Sequence, residues 1–301
     1  MSKGIIPQLD ELLNLRHLAK KIHLFDNMTR VSNLQSGSRI SNHKGRGVDF
    51  DEVRPYQPGD DPRMIHWSLT ARLGKPFTKI YKEERERSVY LLLDQSISMS
   101  FGTKVCFKNV LAANIAATIG WTALDQHEQV GGIIFNDSNA QLFKPKRSKQ
   151  NFLNLLKTLS DNTLQNKHFA SFNDSLKQLS QKIPFGSTVV LVSDFNFFDE
   201  NTKILFNLIN QRAKIINILV YDPLEKMLPT NGSYTFTNTG REILKINASN
   251  SNRDKYQAEF DKKINSIAEY SQKNHMQFFT VATNDNIVDK INYGAIGYGR
   301  K

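Results

Sequence analysis

Two acidic ends of apolar runs hold the residues of this chain best suited to chemistry. The run from Ser88 to Leu93 passes into Asp94-Gln95-Ser96-Ile97-Ser98, which sets Asp94, Ser96 and Ser98 at alternate positions. Three small oxygen-bearing side chains so placed are hard donors, suited to Mg2+, Mn2+ or Ca2+ rather than zinc. The same residue types also cap helices and turns with no ion present. A second apolar run, Thr188 to Val192, leads into Ser193-Asp194. In open α/β sheets, ligands lie outside the carboxyl ends of strands where the strand order reverses. With these two strands as central neighbours, Asp94 and Asp194 face one crevice. Two carboxylates there need a cation, a proton or a hydrogen-bond network to offset their repulsion.

The elements that must position them follow from hydrophobic patterning. From Ser88 onward, apolar strands alternate with helical segments, which predicts βαβ units and a mostly parallel sheet, an α/β class. Strands are expected at 88–94, 129–135, 187–195, 215–221 and 276–282, with a short edge strand at 140–143. Helices are expected at 104–124, 149–159, 173–182, 201–213 and 253–274. A hairpin is expected over 234–246, because Asn238-Thr239-Gly240 separates two β-prone runs. Upstream, residues 7–25 place Leu9, Leu12, Leu13, Leu18, Ile22 and Phe25 near one helical stripe, with Arg16, Lys20 and Lys21 opposite. That predicts one amphipathic helix, docked on the body of the protein or lying against a membrane or partner. Residues 32–47, rich in Ser, Asn and Gly, read as an irregular connection.

The D-x-S-x-S run with a later Asp resembles the metal-ion-dependent adhesion site of von Willebrand factor A-type domains, over roughly residues 88–283. The resemblance implies a von Willebrand A-like, Rossmann-type fold. It also implies a metal held by Asp94, Ser96, Ser98, Ser171 and Asp194. By position Ser171 matches the family's Thr, with Thr163 a second candidate. In such sites the hydroxyls bind the ion directly and the two carboxylates act largely through water. A coordination position then stays open to a partner's carboxylate.

The segment ahead of the first strand narrows the resemblance. It reads Gly45-Arg46-Gly47-Val48-Asp49-Phe50, then Arg54 to Trp67 (RPYQPGDDPRMIHW), then Ala71-Arg72. This is similar to the bacterial domain-of-unknown-function family fifty-eight, whose members join such a block to a von Willebrand A-like domain. Physically, Pro58 to Pro62 should turn. Asp61-Pro62 then looks like the cap and first position of a short helix carrying Arg63, Ile65, His66 and Trp67. Arg54, Arg63 and Arg72 can pair with Asp49, Asp60, Asp61 or Glu84 and lock the segment. Alternatively, Arg54, Arg63, His66 and Arg72 form an anion- or partner-binding surface. The expected division is 1–87 for the helix and Arg-rich segment and 88–301 for the von Willebrand A-like domain.

Composition bounds the function. The 301 residues suffice for a sizeable core, and 39% are hydrophobic. No apolar run approaches the roughly 20 residues of a membrane-spanning helix. No secretory leader pattern opens the chain, and the single Cys106 cannot form an internal disulfide, so a cytoplasmic location is expected. Cys106 opens an expected helix, whose dipole could lower its pKa, though a lone Cys at such a position is usually just packed. A net charge of +11 admits acidic partners, but no run of five or more like charges marks a nucleic-acid surface. No phosphate-loop, nucleophile-elbow or His-metal spacing occurs. The expected function is metal-dependent protein binding. Family resemblance suggests a MoxR-type AAA+ ATPase as partner, acting with a client complex. A Mg2+-dependent phosphoesterase or nuclease using Asp94 and Asp194, and a basic nucleic-acid binder, are the rivals.

Overall fold

The computed structural model describes residues 4–22, 24, 48–83, 87–161, 172–230, 232–238, 242–247 and 250–296. Two short helices come first, α1 (Leu9–Asn14) and α2 (Arg16–Ala19), followed by β1 (Val48–Pro55), α3 (Trp67–Leu73) and β2 (Phe77–Glu83). Next come β3 (Ser88–Asp94), α4 (Lys108–Asp125), β4 (Gln129–Phe135), β5 (Ala140–Lys146), α5 (Lys149–Asp161) and α6 (Phe172–Lys182). The chain continues through β6 (Ser187–Ser193), α7 (Glu200–Asn210), β7 (Ala213–Tyr221) and α8 (Pro223–Lys226). It ends in β8 (Ser233–Asn238), β9 (Glu242–Asn247), α9 (Asn250–Lys273), β10 (Gln277–Ala282) and α10 (Ile287–Ile296).

The main sheet has the order β10-β7-β6-β3-β4-β5. All neighbours are parallel except β5, which runs antiparallel to β4 at one edge. Pro145 in β5 suits that edge, where a missing donor costs no ladder bond. β3 is buried along its whole length, as a central parallel strand covered on both faces must be. Alternate residues serve opposite faces. Leu91, Leu93, Val190 and Val192 join a core with α4 and α5, while Leu92, Val189 and Leu191 join a second with α6, α7 and α9. The expected α/β architecture, a mostly parallel sheet flanked by helices, is what the chain forms.

α4 is buried on nearly every side, as a helix apolar all round requires. Gly120 lets it approach α5: a Cβ there would stand 2.2 Å from the Phe152 ring. The N-terminal helices close its remaining face. The Trp121 indole donates to the Leu12 carbonyl at 3.0 Å and the Thr122 hydroxyl to Ala19 at 3.1 Å. The single helix expected over 7–25 is thus a correction. Two short helices and a turn bring Leu12, Ala19, Ile22 and Leu24 into the core, a bend no local breaker announces, and Phe25 lies outside the described residues. This placement takes the docked alternative for the amphipathic segment.

The chain divides into two compact units, Met1–Asn33 with Arg87–Lys301, and Leu34–Glu86. The N-terminal helices group with the α/β unit. Most expected spans differ from the observed ones by a few residues. α4 starts at Lys108 rather than at 104, because the preceding residues are tied elsewhere. The Thr103 amide and hydroxyl donate to Asp222, and the Phe107 amide to Gly4. Cys106 accordingly precedes the helix. Burial, then the Asp222 charge, pushes its thiol up to about 11, as a packed cysteine rather than a dipole-activated one would show. The hairpin forms as β8 and β9, with 239–241 outside the described residues.

The second unit holds an antiparallel β1–β2 pair. Its turn is built by Gly59 at φ 108° and by Asp60, whose amide donates to Gln57. Asp61 caps a 3-10 turn at Pro62–Met64. That turn stops there, which corrects the expected single helix. Ile65 is extended and bridges to Thr78, and α3 starts afresh at Trp67 with His66 as its cap.

Candidate functional site

β3 pairs in parallel with β4 on one side and β6 on the other. The chain reverses direction across the sheet between them, so Asp94 and Asp194 end adjacent strands at the switch point. Asp94 has no exposed surface, and its carboxylate accepts from the Ser96 amide at 2.8 Å and the Ser193 hydroxyl at 2.5 Å. The loop after β3 then folds into a 3-10 turn at Ile97–Met99. It is pinned by the Gln95 amide on the Phe135 carbonyl and the Ile97 amide on Asp137. This geometry brings the Ser96 and Ser98 hydroxyls to 3.1 Å of each other. Ser98 also helps to hold the Asp194 carboxyl low.

Asp194 has a partner that the sequence reading did not find. Lys108, 1% exposed, donates from Nζ to Asp194 at 2.9 Å and to Glu225 at 2.6 Å. Asn196 adds bonds from its amide and side chain at 3.1 and 2.9 Å, and Lys263 in turn donates to Asn196. Burial works against ionising Asp194, but Lys108 outweighs it and holds the carboxyl below its usual range. For Lys108 burial favours the neutral amine, yet Asp194 and Glu225 together raise its pKa and keep it charged. Asp94 goes the other way. Burial first, then the Asp194 charge, push it up to about 6.

Backbone strain marks the same spot. Phe195, directly after Asp194, is buried with φ 61°, a left-handed conformation that bulky residues rarely adopt. Its amide donates to the Ser193 hydroxyl at 2.8 Å. Ser193 thereby ties the strained residue to Asp94. Such strain tends to gather at sites of function.

Of the expected metal set, the fold brings together Asp94, Ser96, Ser98 and Asp194; Ser171, like Thr163, lies outside the described residues. The spacing of the two hydroxyls suits a hard cation. Adjacent ligands of an octahedral ion at about 2.1 Å stand about 3 Å apart, which is the Ser96–Ser98 hydroxyl spacing. Among the described residues, no group of three or more His, Cys, Asp or Glu side chains could hold an ion, so hydroxyls and water must supply most of the shell. Ser193, Lys108, Asn196, Glu225 and Lys263 escaped the sequence reading. Ser193 was readable as the neighbour of Asp194, and Lys108 as a charge in the first turn of a helix whose middle is mostly apolar. Lys263 carries no local signal.

The Arg-rich block is brought together only in part. Arg54 pairs with Asp60 at 2.6 Å, while Asp60 also accepts from the Gln57 amide and the Thr78 hydroxyl. Asp61 accepts from the Arg63 amide, and His66 Nδ1 from the Leu69 amide. Arg63, Trp67 and Arg72 are exposed, and neither arginine has an ion pair among the described residues. Glu84 lies outside those residues. Among the described residues no helix is long and apolar enough to cross a membrane.

The family model DUF58, described as a protein of unknown function, matches residues 52–265. Two curated relatives, the uncharacterized proteins Rv1480 of Mycobacterium tuberculosis and Mb1516 of Mycobacterium bovis, are each 30% identical over 131 residues. The match covers 44% of this chain, and the chain spans 41% of the length of these relatives. In structure the chain is similar to conserved hypothetical protein BatB from Bacteroides thetaiotaomicron, at 11% identity and TM-score 0.45, over 69% of this chain and 96% of that one. It is also similar to the SpRpn10 VWA domain, at 12% identity and TM-score 0.37, over 72% of this chain and all of that one.

Proposed function

The chain belongs to DUF58, a family of unknown function, and from that premise we propose that it is a metal-dependent protein-binding module. Its partner surface is the carboxyl edge of the main sheet, and the partner class is a MoxR-type AAA+ ATPase acting with a client complex. The observation that supports the metal is the pair of hydroxyls, Ser96 and Ser98, 3.1 Å apart beside two buried carboxylates whose repulsion Lys108 offsets only in part. The ATPase is the partner class that the resemblance of the Arg-rich block implies.

Ser96 and Ser98 would hold the ion directly, with Asp94 and Asp194 behind them. When bound, the ion supplies a positive position that an external carboxylate can complete. The chain's own residues do the rest. Asp94 orients the Ser96 amide, and the pinned turn fixes both hydroxyls before any partner arrives. Ile97 and Val105, 54% and 62% exposed, lie in the loop between β3 and α4 and offer apolar contact around the polar centre.

Capture of the ATPase should be lost in EDTA and in Ser96→Ala while the fold survives. Mn2+ at about a hundredfold excess over Kd should stabilise wild type by about 2.7 kcal/mol and leave Asp94→Ala unmoved. Undiminished capture in excess EDTA would sink the metal bridge. Metal-dependent phosphoester cleavage lost in Asp94→Ala would replace binding with catalysis.

A further inference from the structure

We infer that Lys108 is a built-in competitor of the divalent cation, and that the Lys108–Glu225 pair sets how tightly the crevice holds that ion. This rests on the metal reading above. Three elements meet at the ammonium: α4 supplies Lys108, the end of β6 supplies Asp194, and α8 supplies Glu225. At 1% exposure the ammonium is shielded from solvent, so its field reaches the crevice with little screening.

The charges explain the competition. Asp194 lies between Lys108 and the hydroxyl loop: its carboxylate accepts from Nζ at 2.9 Å, and it ends the strand beside the one that Asp94 ends, from which the loop carrying Ser96 and Ser98 springs. A divalent ion on that side of Asp194 meets a fixed positive charge already in place. Lys263, bonded to Asn196 next door, adds to the same field. Glu225 works the opposite way. It binds the same ammonium at 2.6 Å and neutralises it, so a strong Lys108–Glu225 bond frees Asp194 for the ion. Glu225 is itself anchored, because its second oxygen accepts from the Asp222 amide at 2.8 Å in the capping box of α8. Asp222 in turn is held by Thr103 and Thr283. The ion's affinity is thereby tied to the loop after β7, where Met227 is half exposed. A buried ion network of this kind is weak as a stabilising device, which leaves electrostatic tuning as what it does best.

The two partners of one ion pair should move metal binding in opposite directions. Mn2+ titration, followed by paramagnetic resonance or calorimetry, should give about tenfold or greater tightening in Lys108→Met, and loosening of similar size in Glu225→Gln, the scale expected of one unit charge nearby in a poorly screened site. A merely structural pair would loosen binding in both variants. Lys108→Met leaves two carboxylates unpaired and should melt lower than wild type in EDTA but recover on adding Mn2+. Should it not fold, Lys108→Gln, which removes the charge but keeps a donor for a carboxylate, takes its place beside Glu225→Gln, whose amide oxygen still accepts from Asp222. Unchanged or tighter binding in Glu225→Gln overturns the inference, as do variants that shift in the same direction. If wild type binds Mn2+ and neither variant changes it, the metal reading stands and this one falls. If none of the three proteins binds Mn2+, both fall.

Discussion

The Ser193 hydroxyl donates to Asp94 at 2.5 Å across neighbouring parallel strands, and the same oxygen accepts from the Phe195 amide at 2.8 Å. Removing it in Ser193→Ala leaves a buried carboxylate short of a donor and a buried amide short of an acceptor. The expected loss is about 2–4 kcal/mol in urea unfolding, one desolvation penalty for each group. Ser193→Thr keeps the hydroxyl and should recover most of it. An alanine variant as stable as wild type would mean that water or another side chain serves both groups.

Asp94 predicts a pH dependence. Its folded pKa of about 6 lies above the ordinary 3.8, so the folded state holds the proton more tightly than the unfolded one. Ionisation therefore opposes folding: the penalty is absent below about pH 4 and fully developed above about pH 6, reaching about 3 kcal/mol for a shift of about two units. Without metal, Asp94→Asn should gain stability relative to wild type as pH rises through that window. A difference between the two proteins that stays flat with pH would contradict the placement of this carboxyl.

Phe195 predicts an inverted Gly/Ala order. In most positions glycine is less stable than alanine by about 0.5–1 kcal/mol. At φ 61° alanine keeps the left-handed strain that glycine escapes, worth about 1 kcal/mol. Both substitutions lose the ring, so Phe195→Gly should equal or exceed Phe195→Ala in urea midpoint. The ordinary order would show that the strain is relieved elsewhere.

In the smaller unit, Asp60 gathers Arg54, the Gln57 amide and the Thr78 hydroxyl. The Gln57 bond, with Arg54, holds its carboxyl below the usual range despite some burial. Asp60→Ala should open the turn between β1 and α3 to limited proteolysis while leaving α/β-unit cleavage unchanged. Equal cleavage rates in this turn would place the constraint in Gly59 instead.

The local patterns of the chain determined its sheet and its acidic strand ends. Runs such as Ser88–Asp94 and Ser187–Ser193 have apolar centres without alternation, because a central parallel strand buries both faces, and that pattern names them as strands between two helical layers. Asp94, Ser96 and Ser98 were legible because their spacing lies within one loop. Other features depend on partners distant in sequence. The N-terminal stripe reads as one helix, yet the face of α4 it must cover breaks it in two. In the Arg-rich block, the sequence shows the arginines and the acids, but only the turn at Gly59 decides that Arg54 takes Asp60. Lys108 reaches Asp194 across 86 positions and Glu225 across 117, and no helical or strand period carries such a pairing. Whether a lysine at a helix start faces solvent or two carboxylates is settled by where β6 and β7 end. The tertiary structure therefore decided the electrostatics of the crevice, because charge interactions depend on distance and burial rather than on order along the chain.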